Sequence, residues 1–155
     1  MSVDQCSILA SLVVSAFRPD VDQRVADLTR RFPALSAAEL RLRLWVVETI
    51  VVLLAGEDSS AEPARLDRFF DAFWSELWRH LRLDLPGDDV RQRFDAGLDR
   101  LATEIEADRQ RLAPEMASTA LAKRIAAFLG VPESEPHEYG YKLAASTKLL
   151  NELPE

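Results

Sequence analysis

The spacing of apolar residues predicts α-helices along nearly the whole chain. Glycine is scarce, at 5 of 155 residues, and apolar residues rarely alternate with polar ones as they do in strands. Proline, serine and aspartate stand where helices would begin. We therefore expect an all-α fold, a single-domain bundle of five to seven helices with its third helix at the centre.

Three helices are predicted in the N-terminal half. The first spans residues 4–17, and Pro19 is placed to open the second, because the N–H that proline lacks is unpaired in a first turn anyway. The third begins at Ser36, which forms a capping-box pattern with Glu39, and ends at Gly56. Because residues 44–56 are nearly all apolar, we expect this helix to be the buried centre, with the fourth and sixth helices packed on it.

Three more helices follow. Ser59 or Ser60 is expected to cap the fourth, which has Pro63 in its first turn, and the fifth carries a narrow apolar seam. The sixth opens at Pro114, buries residues that include Met116, and closes at Gly130. We assign residues 1–132 to the bundle and residues 133–155 to a C-terminal appendage, with a short helix docked on the bundle or on a partner as one form of it.

Composition and charge narrow the classes of function. The net charge of -7 and the pI near 4.9 do not favour a surface for nucleic acids or anionic membranes. The longest apolar run, residues 44–56, is shorter than the roughly 20 residues of a membrane span, and Asp4 ahead of the first apolar stretch does not fit a signal peptide. The expected location is cytoplasmic. Cys6 stands alone and is expected to be a buried, inert thiol.

Candidate chemistry is sparse. Glu76 and His80 share a helix face, with Glu48 as a third potential metal ligand, but the Glu-x-x-His spacing of ferritin-like sites is absent from the sequence. Because Arg41 shares the stripe of Glu48, we interpret Glu48 as the solvent-facing edge of its helix. The alternative is a buried carboxylate that has a raised pKa or forms an ion pair with an arginine of another helix. No catalytic residue, cofactor or metal is assigned, and enzymatic activity is left open but not favoured.

A helix-turn-helix arrangement around residues 33–35 is a further alternative. It is supported by a local excess of arginines at Arg24, Arg30, Arg31, Arg41 and Arg43. The second helix of such a motif would present Ala37, Ala38 and Glu39 to DNA, and these side chains read base edges poorly. Nucleic-acid binding is therefore the weaker hypothesis.

Aromatic residues point to a binding surface. On the fourth helix they extend too far around the axis for one neighbouring helix to cover, so this helix either lies between two others or binds a partner. The candidate partner-binding residues are Phe70, Trp74, Trp78, Tyr139 and Tyr141. We expect a non-enzymatic helical interaction module, such as an adaptor, immunity or regulatory subunit, that binds another protein or a second copy. The alternative is a small-molecule sensor or enzyme with a cavity lined by Trp74, Trp78 and Tyr141.

Overall fold

A computed structural model describes residues 4–132 and 137–154 of the chain. In this part of the chain it contains six α-helices, one 3-10 turn and no strand, which confirms the predicted all-α bundle. The α-helices are α1 (Gln5–Arg31), α2 (Ala37–Asp58), α3 (Pro63–Asp84), α4 (Val90–Arg111), α5 (Ala117–Leu129) and α6 (Glu138–Asn151). Among the described residues, none of these helices combines the length and the apolar character that a membrane crossing requires.

The first two predicted helices are one continuous helix, α1, so the predicted break at Pro19 is wrong. A single buried seam runs the length of α1, formed by Cys6, Ala10, Val14, Phe17, Val21, Val25 and Leu28. Proline inside a helix costs about 3 kcal/mol, whereas each fully buried valine, leucine or phenylalanine contributes about 1.5–3 kcal/mol. The seam continues on both sides of the exposed Pro19, so burial outweighs the cost of the proline.

The apolar helix predicted third in the chain is α2, and it is the centre of the bundle. Its residues 44–52 are all buried, and α1, α4, α5 and α6 surround it. The predicted fourth helix, α3, packs mainly on α1 rather than on the centre, through contacts such as the edge-to-face pair of Phe17 and Phe73 at 6.0 Å. The predicted sixth helix, α5, contacts α4 more extensively than α2. α2 also continues past Gly56 to Asp58, and a Cβ atom at Gly56 would lie 2.8 Å from the ring of Phe70.

Asp84 ties the first three helices together. Its carboxylate accepts a hydrogen bond from Trp45 Nε1 at 2.7 Å and one from Arg41 Nη1 at 3.1 Å, and Arg18 Nε lies 3.4 Å away. The Asp84 side chain is only 6% exposed, so these donors replace the water that burial removes.

A second buried carboxylate, that of Asp108, joins α4 to α5. Arg124 binds it with two hydrogen bonds, from Nε at 2.7 Å and from Nη2 at 2.9 Å. These bonds hold the pKa of Asp108 below its usual value. The pair of Asp108 and Arg124 was not predicted from the sequence, because an aspartate within a charged helix resembles a solvent-exposed residue.

The predicted helix ends are confirmed in part. The Ser36 hydroxyl accepts a hydrogen bond from the Glu39 N–H at 3.3 Å, and Gly130 closes α5 in the left-handed conformation, with φ of 76°. The cap expected from Ser59 or Ser60 is wrong, because α3 begins at Pro63 after Glu62. Met116 was expected in the buried face of the sixth helix, but it lies in the 3-10 turn Pro114–Met116 and is exposed.

α6 lies on the bundle, against α2 and α5. Asn151 Oδ1 accepts hydrogen bonds from the Ser60 N–H at 2.7 Å and the Ser59 hydroxyl at 3.0 Å. The Cys6 thiol, which is buried as expected, donates to the Pro154 carbonyl at 3.5 Å. The described part of the predicted appendage therefore contacts both the start and the middle of the chain, while residues 133–136 lie outside the described residues.

Candidate functional site

The structure brings three of the five candidate partner-binding residues together on α3. Phe70, Trp74 and Trp78 follow one another along the helix, and the two indole rings are stacked with their centroids 5.8 Å apart. α4 covers the last residue of this row, because Phe94 meets the Trp78 ring edge-on at 5.3 Å and the Arg91 guanidinium lies 4.4 Å from the centroid of the same ring. All three side chains are half-buried, so the row is largely used for contacts within the chain.

The other two candidates, Tyr139 and Tyr141, lie on α6 and are not part of that row. Residues two positions apart on a helix project to nearly opposite sides. Tyr139 is accordingly 0% exposed, whereas Tyr141 is 81% exposed. Tyr141 borders a charged groove between α1 and α6 that also contains Asp20, Asp27 and Lys142. The two tyrosines therefore cannot act as one surface.

Glu48 is buried, so its interpretation as a solvent-facing edge is wrong. It is 4% exposed, and Lys142 Nζ of α6 lies 3.0 Å from Glu48 Oε1. Burial raises the pKa of Glu48, although Lys142 acts in the opposite direction. The alternative of a buried ion pair applies, with a lysine in place of the expected arginine, and it anchors α6 on the central helix.

Tyr139 closes this cluster. The Lys142 ammonium lies 5.0 Å from the Tyr139 ring centroid, and the Arg24 guanidinium lies 5.4 Å from it on the α1 side. Burial, together with the Glu48 carboxylate, raises the pKa of the Tyr139 phenol. Its hydroxyl has no hydrogen-bond partner within the described part of the chain. The phenol is therefore neutral, and its ring forms cation–π contacts with the Arg24 guanidinium and the Lys142 ammonium.

The three candidate metal ligands do not converge. Glu76 and His80 approach each other to 3.6 Å on α3, but Glu48 is held by Lys142 on another side of the bundle. Across residues 4–132 and 137–154, no group of three histidine, cysteine or acidic side chains is arranged to hold a metal ion.

The arginines of the helix-turn-helix alternative are engaged in ion pairs. Arg24 pairs with Glu138, Arg30 and Arg31 with Asp27, and Arg43 with Glu39. Arg41 bridges Asp22 at 2.5 Å and Asp84 at 3.1 Å. Because each guanidinium faces a carboxylate, the local excess of arginine in the sequence does not produce a comparable excess of positive charge.

An exposed apolar groove between α1 and α6 is the feature that the sequence analysis missed. The two helices run antiparallel along α2, since Lys142 lies 3.6 Å from Asp20 near one end and Cys6 contacts Pro154 at the other. At the second end they leave a groove of about 610 Å³. Its main lining residues are Gln5, Ile8, Leu9, Leu12, Ala145 and Leu149.

Two adjacent, exposed apolar residues distinguish the apolar groove from the rest of the described surface. Ile8 is 45% exposed and Leu12 is 62% exposed, and they are adjacent on α1 at i, i+4. The other large apolar side chains exposed in the described residues, Leu83, Met116 and Tyr141, do not line this groove. A signal for it exists in the sequence: residues 5, 8, 9 and 12 form a second helical stripe beside the buried seam of α1.

Comparisons with known proteins give no relative. No protein-family model matches the sequence, and neither the curated proteins nor the solved structures contain a match to this chain. Function must therefore be argued from the residues.

Proposed function

We propose that this chain is a helical protein–protein interaction module that binds a helix of its partner in the apolar groove between α1 and α6. We call this apolar groove the α1–α6 groove. The observation that carries the proposal is the pair of exposed side chains, Ile8 and Leu12, which line one apolar groove together with Ala145 and Leu149. An apolar patch kept exposed on a monomer typically marks an interaction site. A groove between two helices fits an amphipathic helix, which anchors itself with apolar residues at i, i+3 and i+4.

The surroundings of the groove favour binding over catalysis. Its polar lining is limited to Gln5, Lys148 and Glu152, at the edges of the two helices. These residues do not include a nucleophile and base within reach of each other, as covalent catalysis would require. An apolar centre with polar residues at its rim is the usual anatomy of a protein interface.

The test is a comparison of Leu12→Lys with Leu83→Lys. Both replace an exposed leucine by the same charge, but only Leu12 lies in the groove; Leu83 is 66% exposed on α3. Partners captured from native extract by the wild-type chain are identified, purified and titrated against all three proteins. We expect Leu12→Lys to weaken binding by about 30-fold, as for the loss of a central interface residue, and Leu83→Lys to leave it unchanged. Equal binding by all three would contradict the proposal.

A small apolar ligand is the second candidate for the same groove. The volume of about 610 Å³ lies within the range of roughly 300–1,000 Å³ that is usual for small-molecule sites. The two candidates are separated by thermal unfolding in the presence of medium-chain fatty acids. A melting temperature that rises with ligand concentration in the wild type, but not in Leu12→Lys, would favour the small molecule.

A further inference from the structure

The residues that line the two sides of the apolar groove have the same helical spacing. On α1 its lining residues are spaced i, i+3, i+4 and i+7, at Gln5, Ile8, Leu9 and Leu12. The same spacing recurs at Ala145, Lys148 and Leu149 on α6 and at Glu152, the C-cap residue that follows this helix. The apolar side chains of both stripes therefore face one shared surface.

From this geometry we infer that the helical partner is a second copy of this chain. The inference rests on the proposed interaction function and names its partner. A two-fold axis over the groove would place the first turns of α1 and the last turn of α6 in one copy against the same turns in the other, and would bury Ile8, Leu12 and Leu149 between the copies. In such an interface the same patch serves both subunits, so that patch must be complementary to itself.

The charges at the rim meet this requirement. Lys148 and Glu152 are both exposed, both line the groove, and neither forms an ion pair within the described residues. When the last turns of two α6 helices, each with its C-cap residue Glu152, run antiparallel about a two-fold axis near residue 150, Lys148 of each copy faces Glu152 of the other. The interface would therefore contain two equivalent opposite-charge pairs. A patch with a single sign of charge would instead repel its own copy.

The net charge of the chain sets the condition for the measurement. At -7 per chain, two copies repel each other at long range, but physiological salt reduces the screening length to about 8 Å. Association should therefore be measured at physiological salt or above. Contacts at the rim of the groove lie well inside that length.

Sedimentation velocity from low to high micromolar concentration tests the inference with a charge exchange. Lys148→Glu and Glu152→Lys each place like charges opposite each other, so each variant alone should dimerise about ten-fold more weakly than wild type. An equimolar mixture of the two variants should recover dimer, because opposite charges then face each other. Leu12→Lys should weaken the dimer by about 30-fold, and Leu83→Lys should not change it.

The outcomes separate this inference from the proposed function. A wild-type chain that stays monomeric throughout, or a mixture that associates no better than its components, overturns the second copy as partner. If Leu12→Lys nevertheless loses binding to a different purified protein, the interaction function stands and only the identity of the partner is wrong. If neither self-association nor partner binding depends on Leu12, both proposals fail.

Discussion

Removing the Lys142 ammonium should leave an unpaired charge inside the bundle. Lys142→Met keeps most of the apolar stem but deprives Glu48, 4% exposed on the central helix, of its partner at 3.0 Å. Breaking a buried ion pair in this way costs about 3–5 kcal/mol. The Lys142 side chain is 32% exposed, so the pair is partly hydrated. We therefore expect Lys142→Met to lower the free energy of unfolding by about 3 kcal/mol at neutral pH, the lower end of this range.

Removing the Glu48 carboxylate instead of the Lys142 ammonium should reduce the free energy of unfolding by less. Glu48→Gln leaves the charge on Lys142, which reaches solvent and has Asp20 at 3.6 Å, so we expect a loss of about 1 kcal/mol. In the double variant Glu48→Leu/Lys142→Met both charges are replaced by apolar groups. Such replacements are often neutral or stabilising. The predicted order of stability therefore places Lys142→Met below Glu48→Gln, with the apolar double variant near wild type.

The pH dependence follows from the direction of the pKa shift. Burial raises the pKa of Glu48 above its usual 4.5, so the folded chain binds this proton more tightly than the unfolded chain. The stability linked to Glu48 is therefore fully present below about pH 4.5 and is lost as the pH rises through the raised pKa. Lys142→Met removes the cation that opposes the shift. Its cost relative to wild type should be largest near pH 7 and should shrink towards pH 4.5.

Urea unfolding followed by circular dichroism measures these differences. The matched control is the double variant Glu48→Gln/Lys142→Met, which has no carboxylate at position 48. The difference in free energy of unfolding between Lys142→Met and this double variant therefore reports the effect of the Glu48 carboxylate alone. The reasoning fails if Lys142→Met stays within about 0.5 kcal/mol of wild type, the usual range for surface substitutions. It also fails if the cost is the same at both ends of the pH range.

Three further substitutions test the fold by the same unfolding measurement. Gly130→Ala places a side chain at a φ of 76° and should lower the free energy of unfolding by about 1 kcal/mol. Gly140→Ala, at a helical position with nothing within 4 Å of the added Cβ, should raise it by about 0.5–1 kcal/mol. Shifts of the same sign in the two variants would contradict these predictions. Asp108→Asn should cost about 2 kcal/mol at neutral pH by weakening the bonds to Arg124. Because the pKa of Asp108 is lowered, that stability is present above pH 3.8 and lost as the pH falls through the lowered pKa; a cost unchanged at pH 3 would be inconsistent with this pair.

Features determined by local sequence were predictable. The start of α2 at Ser36 and the end of α5 at Gly130 depend on backbone preferences within a few residues. The central position of α2 follows from its run of apolar residues, which only a fully surrounded helix can bury. The break predicted at Pro19 failed because a local penalty was weighed without the buried seam that continues past it.

Features that depend on distant segments were not predictable from one sequence. Glu48 and Lys142 are 94 positions apart, and only the docking of α6 on α2 brings them together. The groove combines the first and last helices. The stripe of residues 5, 8, 9 and 12 is visible in the sequence, but only the position of α6 determines that Ile8 and Leu12 stay exposed. For the tryptophan row the sequence allowed either a helix between two others or a binding surface, and the contacts of α4 with Trp78 depend on the tertiary packing.

The central claim is that the α1–α6 groove, and not the tryptophan row, is the interaction surface. Hydroxyl-radical footprinting tests it most directly, by comparing the wild-type chain at low concentration with the chain at high concentration or saturated with a purified partner. We predict that Ile8, Leu12 and Leu149 lose reactivity on association, while Trp74 and Trp78 do not change. Protection of the two tryptophans, with Ile8 and Leu12 as reactive as before, would contradict the account.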